Sequence, residues 1–148
     1  MQQRWLLTAR AWLLNYSSDR KGAERVAQPI IDGGGKAVAI GVDVSQGAVV
    51  ARLFKEVDAG FARLDVLVNN AGVSRFAPSR TSAKIVFHFH YNINALGSIL
   101  TIQEAIKRFA EGGSIINLSS IVGSHPAAGA LLASPVIGRV AFIAVDYC

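Results

Sequence analysis

Cysteine is almost missing from this chain. Cys148 is the only one in 148 residues, which excludes an internal disulfide framework and a cysteine zinc cluster. His88, His90 and His125 are too scattered to replace it, and no metal site is expected. An oxidising compartment is neither required nor indicated, so a cytoplasmic setting is expected. Charge is sparse at 17% of residues, and fifteen Lys and Arg against ten Asp and Glu leave a formal net charge of +5 with no basic run. Without clustering or a motif, that excess gives no nucleic-acid stripe, though it favours a polyanionic small ligand.

Uninterrupted apolar stretches are lacking too. Residues 126–145 carry one charge, Arg139, but Pro126, Gly129, Pro135 and Gly138 break the run. A central arginine costs about 2.5–3.5 kcal/mol in a bilayer, so no membrane span is assigned. The N-terminal MQQRWLLTARAWLLNYSS holds Arg4 and Arg10 and no acid before Asp19. It faintly resembles a mitochondrial presequence, while Arg10 breaks the apolar block a secretory signal needs. The stretch is read as a helix tail followed by a strand.

What is present is an apolar majority, 51% of residues, in a length that suits one domain with its own core. Short apolar runs alternate with stretches of helical period, the pattern of βαβ units around a parallel sheet. Strands are expected at 12–16, 37–42, 64–68 and 114–118. Helices are expected at 21–31, with Ala23, Val26 and Ile30 on one face, and at 48–61, with Val49, Leu53, Val57 and Phe61 facing the core. One or two more should fill 82–109. Asp32-Gly33-Gly34-Gly35 stops the first helix. After Ser120 the pattern changes to loop chemistry, with Val140–Val145 reading as a strand.

Four landmarks appear in order: Asp43-Val44-Ser45, the run LDVLVNNAG ending in Asn69-Asn70-Ala71-Gly72, Asn94-Ala95-Leu96-Gly97, and Gly113-Ser114-Ile115-Ile116-Asn117-Leu118-Ser119-Ser120. With these, residues from about 12 to 123 resemble the short-chain dehydrogenase/reductase family, and most closely its 3-oxoacyl-carrier-protein-reductase-like members. The resemblance implies a single incomplete NAD(P)-binding Rossmann-type domain over 1–148. Its fold would be a partial, Rossmann-like, doubly wound parallel α/β sheet lacking the family's first strand and C-terminal elements. It also implies hydride exchange between NADP(H) and a small-molecule carbonyl or alcohol. Neither nucleic acid nor membrane is implied as a partner, and no oligomeric state is set.

Roles follow residue by residue from that resemblance. Asp43, with Val44, would bind adenine, and Asn70, Ala71 and Gly72 would approach the adenosine ribose closely. For Asn69 and Asn70 a structural role, tying loops together by side-chain to backbone bonds, stands beside the ligand role. An acid at the end of the strand at 12–16 would favour NAD. Here Asn15, Ser17 and Ser18 stand instead, followed by Arg20 and Lys21, which points to the 2′-phosphate of NADP over NAD. The alternative is that Ser18 or Asp19 merely caps the next helix. Ser120 matches the family's catalytic serine, and Asn94 the asparagine that holds a water in its proton relay.

The chain departs from the family at both ends. No glycine precedes Trp12, so TGxxxGxG is missing, and the chain is expected to begin inside the first helix, with Arg4–Ala9 as its remnant. Gly33-Gly34-Gly35 leads into a strand and cannot cradle a pyrophosphate. The catalytic Tyr-x-x-x-Lys belongs near Leu132 or Ala133, where the chain reads ALLASPV; Tyr147 is the only tyrosine after Ser120, and no lysine follows Lys107. Loss of register from about Leu131 is what a shifted reading frame would produce. Catalysis is therefore not expected of these residues alone. A non-catalytic nucleotide-binding or interaction module and a ligand-free remnant stand as alternatives. Strands lie about 4.8 Å apart, so a missing central strand leaves a gap of about twice that between two unpaired edges, with Val140–Val145 as a candidate to fill it.

Overall fold

The computed structural model describes residues 11–61, 63–74 and 83–119. Its elements follow the order read from the sequence. They are β1 (Ala11–Tyr16), α1 (Arg20–Asp32), β2 (Lys36–Gly41), α2 (Gly47–Gly60), β3 (Leu64–Asn69), α3 (Ala83–His90), a π-helical turn (Tyr91–Leu96), α4 (Gly97–Ala105) and β4 (Phe109–Asn117).

Helix α1 begins where Asp19 turns its carboxylate onto the Gly22 N–H at 2.8 Å, satisfying one of the orphan donors of the first turn. Asp19, and not Ser18, is the cap. The helix ends at Gly33, and Gly34 takes φ +81° to turn the chain into β2. Ala27 and Ile30 face inward, whereas Val26 is 45% exposed. Of the expected face Ile30 is buried, Ala23 is half-buried and Val26 is not, Ala27 being buried in its place. In α2 Leu53 is buried as expected, together with Val50 and Phe54; Val57 packs against the core from its edge, and Val49 and Phe61 are half-buried.

β1 and β2 pair in parallel from Ala11↔Lys36 to Tyr16↔Gly41. β3 and β4 also pair in parallel, from Val66↔Ser114 to Asn69↔Asn117, after an irregular start at Leu64↔Phe109. The irregularity is local chemistry: Gly112 has φ +80°, and a Cβ on Gly113 would fall 2.5 Å from the Phe109 ring. Alternation is lost there, which is why the sequence pattern locates only the regular part from Ser114 onward. Among the described residues the two strand pairs are separate sheets with no ladder between them. Val140–Val145, the segment suggested for the gap, lies outside the described residues, as do Arg4–Ala9.

Helices join the two pairs. Val44, Val50, Phe54 and Ala105 form the buried core, with Leu64, Leu67, Ile93, Leu100 and Phe109 packed around it. Val44 leaves the end of β2 and rests on the backbone of α4, where a Cβ on Gly97 would lie 2.7 Å from its Cγ2. Glycine is required at 97 by that close approach. Arg108 closes the far side: it holds Asp58 at 2.7 and 3.0 Å and Glu104 at 2.7 Å, with its guanidinium 5.4 Å from the Phe54 ring centroid. No helix among the described residues is long and apolar enough to cross a membrane.

The Arg108 clasp carries a pH signature. Its hydrogen bond holds the Asp58 carboxyl below the ordinary carboxylate range, and Lys107 and then Arg108 do the same for Glu104. A carboxylate with a depressed folded pKa stabilises the fold above its unfolded pKa, and that contribution is lost as pH falls through the folded value. Urea midpoints should therefore be level near neutrality and fall below about pH 5. In D58N/E104Q the midpoint should be lower at pH 7 and its decline in acid shallower. Parallel wild-type and variant curves would remove the clasp from the acid response.

Candidate active site

Parallel strands deliver their carboxyl ends to one side, and the loops that follow β3 and β4 line an open cavity of about 290 Å³. Its wall is Asn69, Asn70, Ala71, Gly72, Val73 and Ser74 from the first loop, Asn117, Leu118 and Ser119 from the second, and Asn94 and Ser98 from the helical segment. Among the described residues, none that lines it has an acidic or basic side chain. The lining offers amides, hydroxyls and backbone groups, suited to sugar hydroxyls and carboxamides and without charge repulsion toward a phosphate.

Asn94 is buried at 7% exposure, within the π-helical turn. Its Oδ1 accepts from the Val73 N–H at 2.8 Å and its Nδ2 donates to the Val73 carbonyl at 2.9 Å. The side chain thus pairs with one whole peptide unit and pins the loop after β3. The π-helical turn, a local feature often found at functional sites, places this residue, and apolar periodicity gives no sign of it. A Cβ on Gly72 would meet nothing closer than the same Asn94 Oδ1, at 3.7 Å. Nothing within the described protein requires glycine there.

Asn70, Ala71, Gly72 and Asn94 are therefore brought together around one cavity. Asn69 turns inward: its Oδ1 accepts from Thr101 Oγ1 at 2.7 Å and its Nδ2 donates to Asn117 Oδ1 at 2.9 Å. Asn69 thus ties helix to strands through side-chain to side-chain bonds, where the sequence suggests side-chain to backbone ones, and it also lines the cavity. Ser98, Thr101 and Asn117 were not singled out as site residues. The available signal was the small-residue spacing 97, 98, 101, 105 on α4, the face such a helix needs for close approach to a strand. Ser120 lies outside the described residues.

The other named residues sit at the ends of β1 and β2. Asn15 Nδ2 donates across to the Val42 carbonyl at 3.3 Å, and Val44 is buried in the core described above. Asp43 turns back on its own loop, accepting from the Ser45 N–H at 3.0 Å and Gln46 Nε2 at 3.4 Å. The Ser45 N–H holds its carboxyl below the usual range. Ser17, Ser18 and Lys21 are exposed. Asp19 is occupied as the helix cap, and Arg20 pairs with Glu24 at 2.7 Å. No cluster of potential metal ligands occurs among the described residues. His90 is fully buried, with Nδ1 2.7 Å from the Val86 carbonyl.

Parallel βα units with a polar cavity beyond the strand ends define a Rossmann-like α/β protein. Solved structures agree. A short-chain dehydrogenase from Burkholderia cenocepacia in complex with NADP superposes with a TM-score of 0.79 at 28% identity, over 84% of this chain and 51% of that one. A blue fluorescent protein from a metagenomic library, in complex with NADPH, superposes with a TM-score of 0.77 at 27% identity, over 84% of this chain and 52% of that one. The sequence model of the short chain dehydrogenases matches residues 5–132, and the chain belongs to that family. An uncharacterized oxidoreductase of Methylorubrum extorquens is 43% identical over 112 residues, covering 76% of this chain and 45% of that protein. The chain thus spans about half the length of the relatives it matches.

Proposed function

We propose that this chain carries the nucleotide-facing portion of an NADP(H)-dependent short-chain reductase, one domain of Rossmann type, and that these 148 residues bind the cofactor without completing the reaction. The observation that carries this reading is the amide- and hydroxyl-lined cavity past β3 and β4, with room beside Gly72. A bound nicotinamide cofactor supplies hydride to a carbonyl, or accepts it from an alcohol. Asn70, Ala71 and Gly72 would hold its ribose, Asp43 and the backbone of Val44 its adenine, and Asn94, which fixes the loop, would support the proton path. Ser120 polarises the substrate oxygen. Asn15, Ser17 and Ser18, with Lys21 nearby, receive the 2′-phosphate. No acid stands at the end of β1, where Asn15, Ser17 and Ser18 do, and the nearest one, Asp19, is engaged as the helix cap, which supports NADP over NAD. The substrate is a small-molecule carbonyl or alcohol, in a cytoplasmic setting, with no nucleic acid or membrane partner.

The proton step is the weak link. A phenol with pKa about 10 needs roughly 4 kcal/mol of differential stabilisation to act near neutrality, and no Tyr-x-x-x-Lys stands near Leu132. Titration of the purified chain, followed by cofactor fluorescence, should show saturable NADPH binding tighter than NADH binding, with no NADPH oxidation when an activated ketone is added. Absence of saturable binding would sink the cofactor reading and leave a ligand-free remnant. Turnover would overturn the claim of inactivity.

A further inference from the structure

We infer that Thr101 is a positioning residue for the cofactor cavity: its hydroxyl sets the Asn69–Asn117 bridge that spaces the two strand ends forming the mouth. This rests on the NADPH reading above for its binding readout, though not for its geometry. Thr101 is 6% exposed and lies on the face of α4 turned to β3. Its Oγ1 is within reach of three acceptors: Asn69 Oδ1 at 2.7 Å, the Ser98 carbonyl at 2.9 Å and the Gly97 carbonyl at 3.0 Å. One proton serves one of them. The two carbonyls belong to a helix whose backbone ladder already gives them N–H donors, whereas the Asn69 oxygen faces the hydroxyl at the shortest distance. The hydroxyl therefore donates to Asn69.

That donation fixes the amide. With Oδ1 held by Thr101, Nδ2 points across to Asn117 Oδ1 at 2.9 Å, at the last paired position of the β3–β4 register. Asn69 then uses its own carbonyl to accept from the Leu118 N–H at 3.0 Å. A single directed chain, Thr101 to Asn69 to Asn117, runs from helix to strand to strand. It ends beside Asn70 and Leu118, where both lining loops begin. Without the hydroxyl, Asn69 Oδ1 loses its donor in a half-buried place and the amide is free to turn over, which reverses the polarity of the bridge.

The test compares T101V, equal in shape but lacking the hydroxyl, with T101S, which keeps it. T101V should weaken NADPH binding at least fivefold and displace the side-chain amide resonances of Asn69 and Asn117. T101S should bind within twofold of wild type and leave those resonances in place. Mere packing predicts the opposite, because valine fills the site better than serine. Wild-type affinity in T101V, or a T101S as impaired as T101V, overturns the inference. If the wild-type chain binds no NADPH, the cofactor reading fails and the resonances alone decide. Displacement in T101V with recovery in T101S upholds the positioning role, and unmoved resonances overturn it. If T101V does not fold, the wild-type chain decides: the Asn69 side-chain amide should exchange with solvent far more slowly than that of exposed Asn70, and equal rates overturn the inference.

Discussion

Phe54→Ala should cost about 3–5 kcal/mol of stability, the range for a buried aromatic cut to a methyl. Phe54 is 3% exposed, packs with Val44, Val50 and Ala105, and lies under the guanidinium of Arg108. Removing the ring opens a cavity between α2 and α4 and takes away the surface on which Arg108 rests. Domains of this size hold only about 5–15 kcal/mol in total, so much of the variant should be unfolded under mild denaturation. Urea titration with paired thermal melts reads this. F54L, which keeps most of the volume, should recover the larger part. A midpoint for F54A within experimental error of wild type would show that the core is organised elsewhere.

The second large effect falls on binding and spares the fold. Gly72→Val should leave the melting temperature nearly unchanged, because a Cβ there meets no atom closer than 3.7 Å and the glycine does not have positive φ. NADPH affinity should fall by tenfold or more, equivalent to about 1.4 kcal/mol, because the branched side chain projects into the cavity assigned to the ribose. G72A should be intermediate. The separation is the informative part. Gly97, where Val44 crowds the backbone, should behave in the opposite way and lose stability on substitution. Equal NADPH affinity in wild type and G72V would move the ribose elsewhere.

The first three strands and the first two helices are legible in the sequence because each strand is a short apolar block between turn signals and each helix keeps its period; the division of 83–105 into α3, a π-helical turn and α4 is not. The faces were less so. Val26 was expected inside and Ala27 takes its place, because α1 covers a sheet of only two strands and period alone does not fix rotation to within one residue. The start of β4 was hidden by Gly112 and Gly113, which abolish alternation. At the site, the family landmarks brought Asn70, Ala71, Gly72 and Asn94 to one cavity. Their hydrogen bonds could not be read in advance: Asn94 meets Val73 across 21 positions and Thr101 meets Asn69 across 32, partnerships that exist only once the chain is folded. A tying role for Asn69 is legible in the sequence, but its partners are the side chains of Thr101 and Asn117 and not loop backbone.

Among the described residues no ladder joins the β1–β2 and β3–β4 pairs, so packed side chains carry the coupling between them. A continuous sheet couples its strands through a backbone lattice, which side-chain changes barely loosen. Here the described halves meet through a seam of side chains: Val44 against Gly97, and Val50 and Phe54 of α2 against Ala105 with Leu64, Leu67 and Phe109 around them. Such a seam allows one half to open while the other stays closed, so protection of β1–β2 amides from hydrogen exchange should decay before that of β3–β4. Simultaneous loss would mean that the seam is as stiff as a lattice.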